Sequence, residues 1–229
     1  MKKNIALLLS ALAIAGCNLN TQPDVDINYN SKYCVLTDSD GKETVKTEFV
    51  EVTNLKETIK EYNKVDGNWE FTRKVVSERT FNSYGNAAQI TTSYYDTSDR
   101  LTGVSKSRYE YSYMGNRPET CTVSEEVDGE WVDTQRREFF YEFGNNLVSS
   151  TVNYDLVAHD GTVPESMDEY AYTNGIIAAC TRYVFKEDSQ KWATLFAESY
   201  VYDDYGRLIS KKVEYPSVPE LSYTLTYFY

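Results

Sequence analysis

Along most of this chain, apolar and polar residues alternate one for one. Trp69, Phe71, Arg73, Val75 and Phe81 share a parity. So do Tyr109, Tyr111 and Tyr113, then Phe139, Tyr141 and Phe143, then Leu221, Tyr223, Leu225, Tyr227 and Tyr229. A period of two puts each set on one face of a β-strand. The opposite parity carries Glu70, Lys74, Glu78, Arg108, Glu110, Arg136, Glu138 and Glu142. One face is aromatic and the other charged, the pattern of an antiparallel meander with one wetted side. Downstream of residue 17 no long segment has a 3.6-residue period, so almost no helix is expected.

Two series of turn signals punctuate the strands. The first is an aromatic followed by glycine: Phe81–Asn86, Tyr111–Asn116, Tyr141–Asn145, Tyr170–Gly175 and Tyr202–Leu208. Its glycines, Gly85, Gly115, Gly144, Gly175 and Gly206, are spaced by 30, 29, 31 and 31 residues, and Asn54 fits an earlier, degenerate copy. The second series interleaves with it: Asp40-Gly41, Asp66-Gly67, Ser98-Asp99-Arg100, Asp128-Gly129, His159-Asp160-Gly161 and Asp188-Ser189-Gln190. Asp-Gly between alternating segments marks a hairpin, because a type I′ turn needs positive φ at both central residues. Trp69, Trp131 and Trp192 follow three of these turns closely. Each repeat of about thirty residues is therefore strand, turn, strand, turn. The expected fold class is all-β, an antiparallel hairpin-repeat meander forming one large curved sheet. Thirteen or fourteen strands are expected, beyond the ~10 at which open twisted sheets curl, split or flatten. Such a sheet curls on itself or folds its aromatic face inward.

The first seventeen residues give an address. Lys2 and Lys3 precede a short apolar run, Ile5–Ala15, too short to span a bilayer as a mature helix. Ile14-Ala15-Gly16-Cys17 resembles a bacterial lipobox. That resemblance implies cleavage of residues 1–16 as a lipoprotein signal peptide and acylation of Cys17. Residues 17–30 then form an acylated cysteine and polar tether, and 31–229 the β-hairpin repeat domain. The implied location is the cell envelope, as an outer-membrane lipoprotein that is periplasmic or surface-exposed. The formal charge of -12 argues against nucleic acid and anionic lipid surfaces as partners. Tyrosine is abundant, at 21 residues beside 9 Phe and 3 Trp, which suits a pleated, half-buried surface.

Tyr202-Asp203-Asp204-Tyr205-Gly206-Arg207-Leu208 is similar to the YD (RHS-type) repeat of bacterial surface and secreted proteins, Y-D-x-x-G-R-L. Tyr95-Asp96-Thr97-Ser98-Asp99-Arg100-Leu101 is a second copy, with aspartate in the glycine position. The other copies keep an aromatic and Gly-Asn. The resemblance implies hairpin sheets that wind into a spiral or shell. With about six copies, a curved sheet or partial turn is expected rather than an enclosed chamber. In composition and layout the chain also resembles short repeat lipoproteins of Bacteroidetes.

Candidate chemistry is sparse. Besides Cys17 there are Cys34, Cys121 and Cys180. Cys121 and Cys180 occupy similar positions two repeats apart, ~19 Å at ~4.8 Å per strand, against the ~4.4–6.8 Å a disulfide needs. Both read as small buried hydrophobes. His159, the single histidine, sits in a turn, which favours an exposed side chain over a catalytic one. Zinc-ligand spacings and phosphate-binding loops are absent, and Asp38-Ser39-Asp40-Gly41 is only half of a calcium loop. No metal or other cofactor and no catalytic residue is expected. Glu125-Glu126 and Asp203-Asp204 point to opposite faces of a strand, so neither is a glycosidase dyad.

Tyr109, Tyr111, Tyr113, Tyr141 and Tyr202 are the candidate binding aromatics, although tyrosine rows are first of all a sheet's core. The function expected is an envelope-anchored, non-catalytic binding or scaffold module. Its partners would be the membrane through the lipid, a glycan or an envelope protein, and no nucleic acid. Two alternatives stay open: a glycan hydrolase with two carboxylates in an aromatic cleft, and assembly through edge strands. The alternating, aromatic C-terminus also leaves a transmembrane barrel as a structural rival.

Overall fold

The computed structural model describes residues 31–112, 117–144, 146–158 and 161–229. The signal and tether segments with Cys17, and also Tyr113, Gly115 and His159, lie outside these residues. Fourteen strands follow one another: β1 (Tyr33–Asp38), β2 (Glu43–Val52), β3 (Lys56–Val65), β4 (Asn68–Phe81), β5 (Ala87–Tyr95), β6 (Leu101–Tyr111), β7 (Pro118–Val127), β8 (Glu130–Tyr141), β9 (Val148–Asp155), β10 (Pro164–Thr173), β11 (Ile176–Lys186), β12 (Lys191–Tyr202), β13 (Leu208–Glu214) and β14 (Tyr223–Phe228). A 3-10 turn at Pro219–Leu221 is the helical element among the described residues.

Every strand pairs antiparallel with its neighbours in sequence, and β1 pairs with β14, Cys34 opposite Tyr227 and Leu36 opposite Leu225. The meander therefore closes into a barrel, where a curved sheet or partial turn was expected. The reason lies in the pairing. Twelve of the fourteen strand pairs carry a one-residue register shift. Each such bulge bends its strand and adds twist, so curvature accumulates until the edges meet. Fourteen strands ~4.8 Å apart and tilted ~40° make a wall of ~28 Å backbone diameter.

The two turn series occupy opposite rims. The aromatic-glycine turns join β4/β5, β6/β7, β8/β9, β10/β11 and β12/β13, on the rim where β1 begins and β14 ends. The second series joins the strands at the other rim. Two kinds of turn result. Asp66-Gly67, Asp128-Gly129 and Asn174-Gly175 have positive φ at both residues, as a type I′ turn requires. In four others an Asp or Asn side chain folds the loop. Oδ1 of Asp38, Asn82, Asp96 and Asp203 accepts two backbone N–H groups, two and four residues on. The third residue after it then takes positive φ: Gly41, Gly85, Asp99 and Gly206. Arg100 and Arg207 pair back onto Asp96 and Asp203 at 3.0 and 2.6 Å. This accounts physically for the aspartate, glycine and arginine of the repeat.

The inner face holds the core. Cys34, Leu36, Ile59, Val75, Ile90, Cys121, Phe139, Cys180, Phe196, Val213, Tyr223 and Tyr227 are all buried. The parity rule succeeds for β6, β8 and β14 and fails at a bulge in β4. There Glu61 pairs with Arg73 but Tyr62 with Phe71, so Thr72 is inserted and the alternation slips. Trp69 and Phe71 consequently lie on the outer face, under Lys46 and Lys64 and against Tyr62. Phe143, at the rim, is fully exposed. The outer face carries charge in mid-strand, including Lys46–Glu48, Arg108–Asp133 and Arg136–Glu138, and Lys64–Glu43 adds a pair near one rim.

Candidate functional site in the barrel lumen

The thirty-residue repeat builds one rim of the lumen. Just after each aromatic-glycine turn stands a buried residue followed by a bulge: Ala87, Pro118, Val148, Ile177 and Leu208. At four of these a tyrosine at or just past the end of the next strand donates its hydroxyl to the residue's carbonyl. Tyr111 reaches Ala87 at 2.8 Å, Tyr141 reaches Pro118 at 2.7 Å, Tyr172 reaches Val148 at 2.9 Å, and Tyr229 reaches Leu208 at 2.6 Å. Each tyrosine thus staples the second strand of its hairpin to the start of the first. Nothing in the turn motif alone announces the staple; a tyrosine spaced 21–24 residues from a small or apolar residue is its trace.

Deeper in, charged side chains replace tyrosines on the inner face. On one arc, Arg73 Nε lies 2.6 Å from Glu61 and Arg79 Nη2 3.5 Å from Glu57. On another, Arg182 grips Asp168 with two bonds, Nε to Oδ1 at 2.6 Å and Nη2 to Oδ2 at 2.7 Å. Lys211 lies 2.6 Å from Glu198, which also accepts the Tyr200 hydroxyl. Burial would raise the Asp168 carboxyl, but hydrogen bonds and charge from Arg182 outweigh it and hold it below the usual range. Burial pushes the Glu57 carboxyl up, opposed by Arg79.

Arg137 belongs to the same wall. It stands directly opposite Cys121 on one side and Asn153 on the other. Its Nε donates to Asn153 Oδ1 at 2.7 Å, and Asn153 Nδ2 donates to Ser166 Oγ at 3.2 Å. Burial would lower its pKa, yet Tyr170 and Asp168 hold it up. Around it Cys121, Phe139 and Val148 form a buried cluster with Tyr109, Tyr141 and Tyr170 packed against it.

Part of the inner face is not fully buried. Val45, Thr47 and Phe49 on β2, and Ser105, Ser107, Tyr109 and Tyr111 on β6, face inward and remain partly exposed. The two large apolar assemblies draw on β12–β2 and on β6–β10, each an arc of the wall.

The structure brings the candidate aromatics Tyr109, Tyr111, Tyr141 and Tyr202 to the inner face, with the Tyr111 and Tyr141 hydroxyls already spent on backbone carbonyls. Gly85, Gly144, Gly175 and Gly206 all have positive φ, between 75° and 85°. Cys34, Cys121 and Cys180 are buried, each directly opposite a tyrosine: Tyr227, Tyr109 and Tyr170. Burial pushes the Cys34 thiol up to about 12, and that of Cys180 higher still, so neither is a thiolate nucleophile. No group of metal-binding side chains forms among the described residues. Arg137 and the ion pairs were missed as site residues. The signal for Arg137 was its parity with Phe139 and Tyr141.

No known protein family matches the chain, and no curated protein matches it. Among solved structures it is similar to a porin-like protein from Bacteroides uniformis, at 10% identity over 86% of this chain and 96% of that one, with a TM-score of 0.40. A porin-like protein from Bacteroides vulgatus gives 11% identity over 87% and 98%, with a TM-score of 0.43. A protein with unknown function from Bacteroides fragilis gives 14% over 66% and 96%, with a TM-score of 0.21. At such scores these likenesses decide nothing about the site.

Proposed function

We propose that this protein is a non-catalytic binding module of the bacterial cell envelope that takes a small ligand into its barrel lumen. One observation carries the reading: side chains facing the inside of a closed wall, on β2 and β6, are still partly exposed. Apolar pockets with a few placed polar groups are the usual form of a ligand site, and this lumen combines tyrosines with ordered ion pairs.

The envelope address rests on the N-terminal sequence, with Cys17 acylated and the YD-like repeats following. Residue 32 is hydrogen-bonded to Phe228 at the aromatic-glycine rim, so a tether from Cys17 would leave from that rim. The charged outer face supports a barrel standing clear of the bilayer, since a lipid-facing Lys or Arg costs about 2–4 kcal/mol at mid-membrane. A hydrolase finds less support. Each buried lumen carboxylate described above is bound to a cation, whereas a glycosidase needs one carboxyl held protonated. Burial pushes the Glu57 carboxyl that way, but Arg79 opposes it.

The test is a glycan-array and small-molecule screen of the purified protein, repeated with Ser107→Trp, which puts bulk into the lumen. Binding should fall at least tenfold. A ligand that tolerates Ser107→Trp but is lost with the outward-facing Trp131→Ala would move the site to the outer wall.

A further inference from the structure

We propose that Arg137 anchors an anionic group, a carboxylate, on the ligand held in the lumen. This deepens the lumen-binding reading and rests on it. The other cations described in the lumen are spoken for: Arg73, Arg79, Arg182 and Lys211 each lie within 3.5 Å of a carboxylate. Arg137 has no such partner among the described residues. The nearest source of negative charge, Asp168, has both oxygens engaged by Arg182, and Thr151 stands 3.4 Å from one of them. Two guanidinium groups therefore flank one carboxylate. A half-buried cation that only shares its counter-charge is under-compensated, so this arc of an otherwise acidic molecule is primed for an anion.

Geometry sharpens the point. The bond from Nε to Asn153, itself held by Ser166, fixes the plane of the guanidinium. The terminal nitrogens donate to no described side chain, and the residue as a whole is half-buried. That leaves an oriented pair of N–H groups facing the lumen, the shape that binds a carboxylate with two parallel hydrogen bonds. Tyr109 and Tyr170, both partly exposed, lie in the cluster beside it. They offer ring faces to the body of the ligand, so a small organic acid with a flat apolar face fits best: an acidic sugar or an aromatic acid.

The experiment titrates the purified full chain with benzoate and glucuronate, and with their neutral counterparts benzyl alcohol and glucose, at constant ionic strength. Tyrosine fluorescence and the thermal midpoint are read together. A carboxylate should bind the native protein and raise its midpoint, and its neutral counterpart should bind at least tenfold more weakly. Arg137→Gln should abolish that tenfold preference while leaving the unliganded midpoint unchanged or higher, because a cation that only shares its counter-charge with Arg182 has gone. Arg137→Lys should keep part of the preference. Arg182→Gln serves as the structural control and should lower the midpoint, since it strands Asp168. The proposal is overturned if Arg137→Gln keeps the preference, if its midpoint falls as far as that of Arg182→Gln, or if neither acid binds the native protein. Neutral probes binding as well as acids, in a manner blocked by Ser107→Trp, would remove the anion anchor and leave the lumen reading standing. Acid binding that needs Arg137 but ignores Ser107→Trp would keep the anchor and remove the lumen as a filled chamber.

Discussion

At the scale of single residues, positive φ sets the most specific demand. Gly206 sits at φ 75° with open space around its missing Cβ, so a side chain there meets backbone strain and nothing else. Gly206→Val should lower stability by ~1–3 kcal/mol in urea unfolding, because a β-branched residue is poorly accommodated in that region. No measurable change would show that the turn can relax to another form. Titration acts at the same scale. Burial pushes up the hydroxyls of Tyr170, Tyr200 and Tyr227, and raises the Cys34 thiol from 9.0 to about 12. The folded state keeps these protons where the unfolded chain releases them. It therefore binds more protons above pH ~9, and stability falls as pH rises from there. Thermal melts between pH 8 and 11 should show a steadily falling midpoint, with tyrosinate absorbance appearing on unfolding. Full tyrosinate absorbance, from all 21 tyrosines, developing near pH ~10 in the still-folded protein would mean that these three are not sealed. The glycine positions were legible in the sequence because their spacing repeats. Arg137 was harder to see, since Arg136 beside it points outward to Glu138 and Tyr154.

At the scale of the element, the working unit is a hairpin whose second strand carries a tyrosine staple. Tyr141→Phe removes one hydroxyl and leaves the ring, so the Pro118 carbonyl loses its 2.7 Å donor. The cost should be ~1–2 kcal/mol, the range for a half-buried acceptor left without its donor. Tyr172→Phe should match it, because the Val148 carbonyl is held in the same way. Equal losses for both, measured by chemical denaturation, would confirm one repeated device; a loss below ~0.3 kcal/mol in either would show that water replaces the hydroxyl without penalty. Strands and turns were legible because alternation and Asp-Gly or Asn-Gly pairs are local signals. Bulges were not. Inserting Thr72 or Thr134 changes neither composition nor length, yet it turns every later side chain to the other face. Each threonine instead shows itself in the structure by donating to a carbonyl across the pair, Thr72 to Glu61 at 2.9 Å and Thr134 to Val123 at 3.4 Å.

At the scale of the whole molecule, closure is the property that local signals could not reveal. Thirteen or fourteen strands follow from counting turns, but whether the last meets the first depends on curvature summed over every bulge. The same gap hid the ion pairs. Glu61 and Arg73, or Asp168 and Arg182, are separated by a hairpin and meet only in a known register. The seam joining β1 to β14 is the place to test what closure does. Six residue pairs of β1 and β14 and four of β13 and β14 hold it. Tyr223 and Tyr227 lie buried on its inner side, beside Leu36, Val213, Cys34 and Leu208. Ending the chain at residue 222 would remove both tyrosines and Leu225 and leave β1 and β13 as unpaired edges. Losing one large core side chain already costs ~3–5 kcal/mol, against a total stability of ~5–15 kcal/mol. The truncated chain should therefore associate through its open edges and expose its thiols. Size-exclusion chromatography should show oligomers, and a thiol reagent that leaves the native protein unmodified should label Cys34. Adding a peptide of residues 223–229 should reverse both effects by restoring the fourteenth strand. A truncated chain that stays monomeric, with Cys34 protected, would mean that the thirteen-strand sheet holds its curvature without the seam, and that the barrel is closed by its bulges alone.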